Sequence, residues 1–134
     1  MKPHKTKIRV RYEETDRMGV VYYGNYFIWF EVARTELFRS LGISYREIEE
    51  KDGLYLVVAS ARCDYKLPAT YDDIVTVETN LIALKNTSIV FEYTLKRGGS
   101  IIAKGESSHV FTNKKGRPVK MPEKIKSALS PKQS

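Results

Sequence analysis

Between residues 26 and 41 the chain carries apolar side chains around most of a helical circumference, and from residue 54 to 112 it reads almost entirely as strands. That pairing constrains the fold more than any other feature. Tyr26, Phe30, Ala33, Leu37 and Leu41 recur at three- and four-residue spacing, Phe27, Trp29 and Phe38 widen the stripe, and Ile28 and Val32 add apolar surface beyond it. A helix apolar over so much of its girth is normally buried. Its second half has a wetter side in Arg34, Glu36, Arg39 and Ser40, and Gly42 suits the C′ position that ends it. Ser44 followed by Glu47 has the capping-box spacing, which predicts a shorter second helix.

Residues 7–12 alternate basic and apolar, the period-2 signature of a strand with one buried face. Residues 13–25 break all periodicity. Residues 54–67 form one long strand-like run stopped at Pro68, and residues 74–84 form another, rich in Val and Thr. In residues 88–97, Ile89, Phe91, Tyr93 and Leu95 share one face, and Gly98-Gly99 supplies a two-residue hairpin into a strand over 100–112. Pro122 starts a short terminal helix over 122–129. An antiparallel sheet with one apolar face must cover it, and the 26–41 helix is the only large apolar cylinder at hand. The pattern therefore predicts an α+β fold with that helix packed on the sheet.

The 134 residues suit one domain, 1–134, with residues 130–134 as a frayed polar tail. A content of 42% hydrophobic and 29% charged residues excludes disordered and collagen-like classes. No apolar run reaches the roughly 18 residues that cross a bilayer, so no membrane insertion is expected and the cytoplasm is the simplest location. Cys63 is the only cysteine, which rules out an intrachain disulfide and a Cys-based zinc site. His4 and His109 have no ligand-spaced partner, so neither a metal nor a cofactor is expected. On its strand Cys63 reads as a small buried hydrophobe, and Asp72-Asp73 as turn formers.

The formal charge of +7 attracts anionic partners of any kind. Much of the excess sits near the ends, in Lys2, Lys5 and Lys7 and from Lys114 to Lys132, where a solvated face is the simpler reading. No nucleic-acid recognition motif is present, and the nine tyrosines and five phenylalanines fit core positions, so nucleic acid is not an expected partner.

The most informative stretch runs from Asp16 through Arg17-Met18-Gly19-Val20-Val21-Tyr22-Tyr23-Gly24-Asn25-Tyr26 into the helix as far as Arg34. It resembles the signature of the 4-hydroxybenzoyl-CoA thioesterase family of hotdog proteins, and most closely its Tol-Pal-associated (YbgC-like) acyl-CoA thioesterases. The resemblance continues through Asp64 to Asp73 and in residues 105–110. It implies the hotdog fold, an antiparallel sheet wrapped around one long helix, and hydrolysis of an acyl thioester carried on coenzyme A or an acyl carrier protein. It further implies Asp16 as nucleophile or general base, the Tyr23 main-chain N–H polarising the carbonyl, and Gly19, Val20, Val21, Gly24 and Asn25 as substrate-binding residues.

The chemistry is physically reasonable. A free aspartate, with a reference pKa of about 3.9, is ionised at neutral pH and attacks or orients water without prior activation. The first N–H groups of a helix lack internal partners and carry partial positive charge. Asn25 is the expected N-cap of that helix. Many close relatives have histidine where this chain has Tyr23, which is harmless if the position acts through its main chain. Two competing readings are a hydratase or dehydratase, which uses a histidine that the Asp16 stretch lacks, and a non-catalytic acyl-thioester- or partner-binding module. The long edge of residues 54–67 needs a covering strand, which predicts a homodimer or homotetramer with the site shared between subunits.

Overall fold

The computed structural model describes residues 2–130. Its elements in chain order are β1 (His4–Arg9), a 3-10 turn at Tyr12–Glu14, α1 (Asn25–Ser40), α2 (Tyr45–Asp52), β2 (Tyr55–Tyr65), β3 (Ile74–Leu84), β4 (Ser88–Arg97), β5 (Ser100–Thr112) and α3 (Glu123–Leu129). The five strands make one sheet in the order β1-β3-β4-β5-β2, every pairing antiparallel. This is the predicted α+β architecture, with α1 across one face of the sheet.

Several expectations are met at the level of single residues. The Ser44 hydroxyl accepts from the Glu47 N–H at the start of α2. Gly98 and Gly99 are the two residues between paired Arg97 and Ser100, and Gly98 takes a positive φ of 62°. At the end of α1 the Ile43 N–H reaches the Phe38 carbonyl and the Gly42 N–H the Arg39 carbonyl, a Schellman closure that leaves Leu41 as C-cap. Asp72 sits at φ 74°, a left-handed turn conformation that aspartate tolerates.

Other boundaries move for tertiary reasons. β1 begins at His4, because β3 is long enough to pair with it as far as Thr79. It ends at Arg9, because Val10 turns to bond the Asp72-Asp73 loop, its N–H to the Asp73 carbonyl at 2.8 Å. Pro122 is the N-cap of α3, one residue outside the helix. Of the expected frayed tail, Ser130 bonds the Lys126 carbonyl through both N–H and hydroxyl, and residues 131–134 lie outside the described residues.

The core is the apolar stripe of α1 set on the sheet. Tyr26, Trp29, Phe30, Ala33, Leu37 and Phe38 are buried, as are Ile89, Phe91, Tyr93 and Leu95 on β4. Phe30 stacks on Tyr93 at a centroid separation of 4.3 Å and an interplanar angle of 3°. Beneath the helix runs a short polar chain. The Tyr93 hydroxyl bonds Ser107 Oγ at 2.6 Å, and Ser107 Oγ bonds His109 Nε2 at 2.8 Å. Burial, helped by the Arg34 charge, pushes the His109 imidazole down to about 4, so it stays neutral at physiological pH.

α1 approaches the sheet closely because β5 presents no side chain at Gly105. A Cβ there would lie 2.2 Å from Phe30 Cζ and 3.0 Å from the Arg62 carbonyl oxygen. Gly105→Ala should therefore cost about 2–3 kcal/mol, the upper range for overpacking a dense core. Urea unfolding checks this, and adding Phe30→Leu to Gly105→Ala should recover part of the loss.

Candidate active site

Four short segments meet at the N-terminal end of α1: the loop of residues 10–24, the first turn of α1, the end of β2, and residues 68–73. Glu14 anchors the first of them. Its carboxylate is buried, accepting the Trp29 indole N–H at 2.8 Å and the Arg11 main-chain N–H at 2.8 Å, with the Arg11 guanidinium 3.5 Å away. Its carbonyl accepts from the Tyr22 N–H at 2.9 Å and from Asn25 Nδ2 at 2.8 Å. One residue thus ties the loop to the helix from both its side chain and its backbone.

Residues 15–21 fold into a tight hairpin. The Asp16 N–H donates to the Val20 carbonyl at 2.8 Å, the Gly19 N–H to the Asp16 carbonyl at 3.0 Å, and Thr15 pairs with Val21. Gly19 takes φ 82°, which a residue with a Cβ rarely adopts. The turn also uses the Asp16 side chain, whose Oδ1 accepts the Met18 N–H at 2.9 Å. That bond fixes the carboxylate's orientation and leaves Oδ2 without a protein donor among the described residues. The hairpin is held against the 68–73 loop by the Val21 N–H on the Ala69 carbonyl at 2.9 Å and by a Val20–Thr70 bridge. Asp73 shapes that loop: the Thr70 N–H and hydroxyl on its carboxylate, with Arg97 beside it, hold it below the usual carboxylate range.

Asn25 is not the N-cap. Gly24 is, in a right-handed helical conformation, and Asn25 is the first residue of the helix. The Asn25 side chain has a stronger claim on it, since its Nδ2 reaches the Glu14 carbonyl across the loop. Asn25, Tyr26 and Phe27 pass their N–H groups back to the carbonyls of Tyr22, Tyr23 and Gly24. Among the described residues, the N–H groups of Tyr23 and Gly24 meet no acceptor.

Asp16, Val20, Val21, Tyr23, Tyr26 and Tyr65 line one cavity of about 360 Å³. On its other side Asp16 borders a wider cavity of about 720 Å³, shared with Tyr12, Tyr22 and Asn25. Gly19 and Gly24 serve as turn and helix cap in the same loop and line neither cavity. A Cβ on Gly24 would press on the Tyr22 ring at 3.1 Å. Tyr26 is a buried core aromatic, while Tyr22 is half exposed and lies against Tyr23 at 4.6 Å. Cys63 lies outside the cavity, and burial pushes its thiol up to about 11, away from nucleophilic use. Among the described residues no group of three or more His, Cys, Asp or Glu is placed to hold a metal ion.

Two residues of the site escaped the sequence reading. Glu14 is an ordinary loop carboxylate by sequence, although a buried indole N–H needs an acceptor and the only tryptophan is Trp29. Tyr65, on β2, donates its hydroxyl to the Tyr23 carbonyl at 2.9 Å across 42 residues. Nothing local signals such a contact.

One antiparallel sheet covering one long buried helix defines a hotdog-fold protein. The comparisons agree: the chain belongs to the thioesterase-like superfamily, which matches residues 10–129. It is 36% identical over 123 residues to a Haemophilus influenzae protein named acyl-CoA thioesterase YbgC, covering 91% of this chain and 90% of that protein. A crystal structure of an Aquifex aeolicus protein superposes with a TM-score of 0.91 at 34% identity, covering 96% of this chain and all of that one. The DHNA-CoA thioesterase of Staphylococcus aureus superposes with a TM-score of 0.86 at 33% identity, over 90% of this chain and 81% of that one.

Glu14→Ala should strand both the indole and the Arg11 N–H, at a cost of roughly 2–4 kcal/mol for two orphaned donors. Because Trp29 is the only tryptophan, its near-ultraviolet circular dichroism should weaken with the loss of stability, whereas Glu14→Gln, which keeps one acceptor, should lose less.

Proposed function

We propose that this chain hydrolyses the thioester of a small-molecule acyl-CoA to a free acid and a thiol, with Asp16 and the Tyr23 main-chain N–H at the reacting carbonyl. The observation that carries the reading is the shared cavity: it is lined both by Asp16, whose carboxylate is anchored through one oxygen only, and by Tyr23, whose N–H meets no acceptor among the described residues. The thioesterase names of the Haemophilus and Staphylococcus relatives support a coenzyme A thioester as substrate, in preference to an acyl carrier protein.

Asp16 Oδ2 has two routes. As nucleophile it adds to the thioester carbon, the thiolate leaves, and water cleaves the resulting mixed anhydride. As general base it takes a proton from a water molecule that adds to the same carbon, and the thiolate leaves protonated. In both routes negative charge builds on the carbonyl oxygen, where a main-chain N–H at a helix N-terminus is worth most. Neither histidine competes for the role: His109 is buried in its bond to Ser107, and the His4 ring, at the start of β1, lies 3.4 Å from the Thr6 hydroxyl and lines neither cavity that Asp16 borders. The Tyr23 side chain is 60% exposed, and in this reading position 23 acts through its main chain.

The site is shared between two subunits in this reading. β2 is an edge strand whose outer rim pairs with nothing among the described residues, and its Val57 and Val58 are nearly half exposed. α1 leaves Ile28 and Val32, one turn apart, at the surface. A long unprotected edge and exposed apolar side chains together favour pairing with a second copy about a two-fold axis, as a homodimer or as the dimer unit of a tetramer.

Asp16→Asn should fold like the parent, because an asparagine oxygen still accepts the Met18 N–H, and should lose turnover by roughly 10²-fold or more. Activity within a few-fold of the parent, measured by thiol release from an acyl-CoA panel, would overturn the assignment. Light scattering and thiol-release assays run across one dilution series should show specific activity falling as the dimer dissociates.

A further inference from the structure

We propose that Tyr65 is a positioning residue for this hydrolysis: by holding the Tyr23 carbonyl, its phenol fixes the main chain of residue 23 and so keeps the Tyr23 N–H in place. The inference rests on the reading of Asp16 and Tyr23 given above. Tyr65 is the last residue of β2, and its hydroxyl donates to the Tyr23 oxygen at 2.9 Å. The Tyr26 N–H also reaches that oxygen, at 3.3 Å. With the peptide units planar, the only soft freedom between the Tyr23 carbonyl and the Tyr23 N–H is the φ/ψ pair of that residue, so a pinned carbonyl limits how far the N–H can turn.

The placement of Tyr65 fits this task. Its ring meets Tyr26 edge-on at 4.9 Å and Tyr23 edge-on at 6.4 Å, which holds the hydroxyl in place. It lines the cavity that contains Asp16 and Tyr23. Burial, followed by the neighbouring Cys63, raises the phenol above its ordinary range, so it remains a proton donor. A phenylalanine would preserve the ring contacts and lose only the hydrogen bond. Packing and hydrogen bonding are therefore separable in one substitution.

The experiment uses the full chain and whichever of butyryl-CoA, benzoyl-CoA and palmitoyl-CoA the parent cleaves fastest. In Tyr65→Phe, kcat should fall about tenfold, less than the 10²–10³ for outright loss of an oxyanion donor. KM should change by less than about twofold, the pattern of an interaction made in the transition state, and the thermal midpoint should hold. In an Asp16→Asn background, the carbonyl stretch of the bound ¹³C-labelled thioester should lie below its solution frequency, and adding Tyr65→Phe should move it part of the way back. A fluorinated tyrosine at position 65, whose phenol is more acidic, should add a descending alkaline limb to the kcat profile that the parent lacks. An unmoved stretch, with kcat either unchanged or lowered only in step with stability, would overturn the role of Tyr65 while leaving Asp16 intact. Turnover retained in Asp16→Asn would overturn the reading of the site, and this inference with it.

Discussion

Phe30 lies over Gly105 and stacks face to face on Tyr93. The position of α1 above the sheet depends on that contact, since a side chain at Gly105 would hold the helix away and part the rings. With the helix seated, its first turn falls beside the hairpin of residues 15–21. The geometry of the candidate site is thus set in part by a missing Cβ in the middle of β5, far along the chain from the residues at that site.

A second constraint works at the other end of the helix's reach. Glu14 is a buried carboxylate, and burying a charge is unfavourable unless it is hydrogen-bonded and paired. Here the Trp29 indole, the Arg11 N–H and the Arg11 guanidinium meet those needs. The result is a loop that cannot shift without exposing an unpartnered charge or an unpartnered indole. Loops that carry chemistry need such restraint, because reacting groups must be held within a fraction of an ångström.

The Asp16 Oδ1 accepts the Met18 N–H, the ordinary task of an aspartate at a turn, and this same bond orients the carboxylate at the rim of the cavity that Tyr23 also lines. The turn is what presents the second oxygen. Gly19, at φ 82°, closes that turn and lines neither cavity.

The apolar stripe of α1, the alternation of β4, the Gly98-Gly99 hairpin and the Ser44 cap were all legible in the sequence, because each depends on residues no more than about four positions apart. A contiguous motif and its family resemblance drew attention to Asp16 and Tyr23, and the structure places both on one cavity. Other features were decided only by tertiary structure. The long strand of residues 54–67 lies at the sheet edge because β5 pairs with it on one side and nothing among the described residues takes the other. Gly24 displaces Asn25 as helix cap because the Asn25 amide is drawn to Glu14, eleven residues earlier. Tyr65 reaches the Tyr23 carbonyl only because β2 ends beside the start of α1. Periodicity records which face of an element is buried. Which element lies against that face, and which donor then meets which acceptor, is settled by strand order and register between segments that the local pattern does not relate.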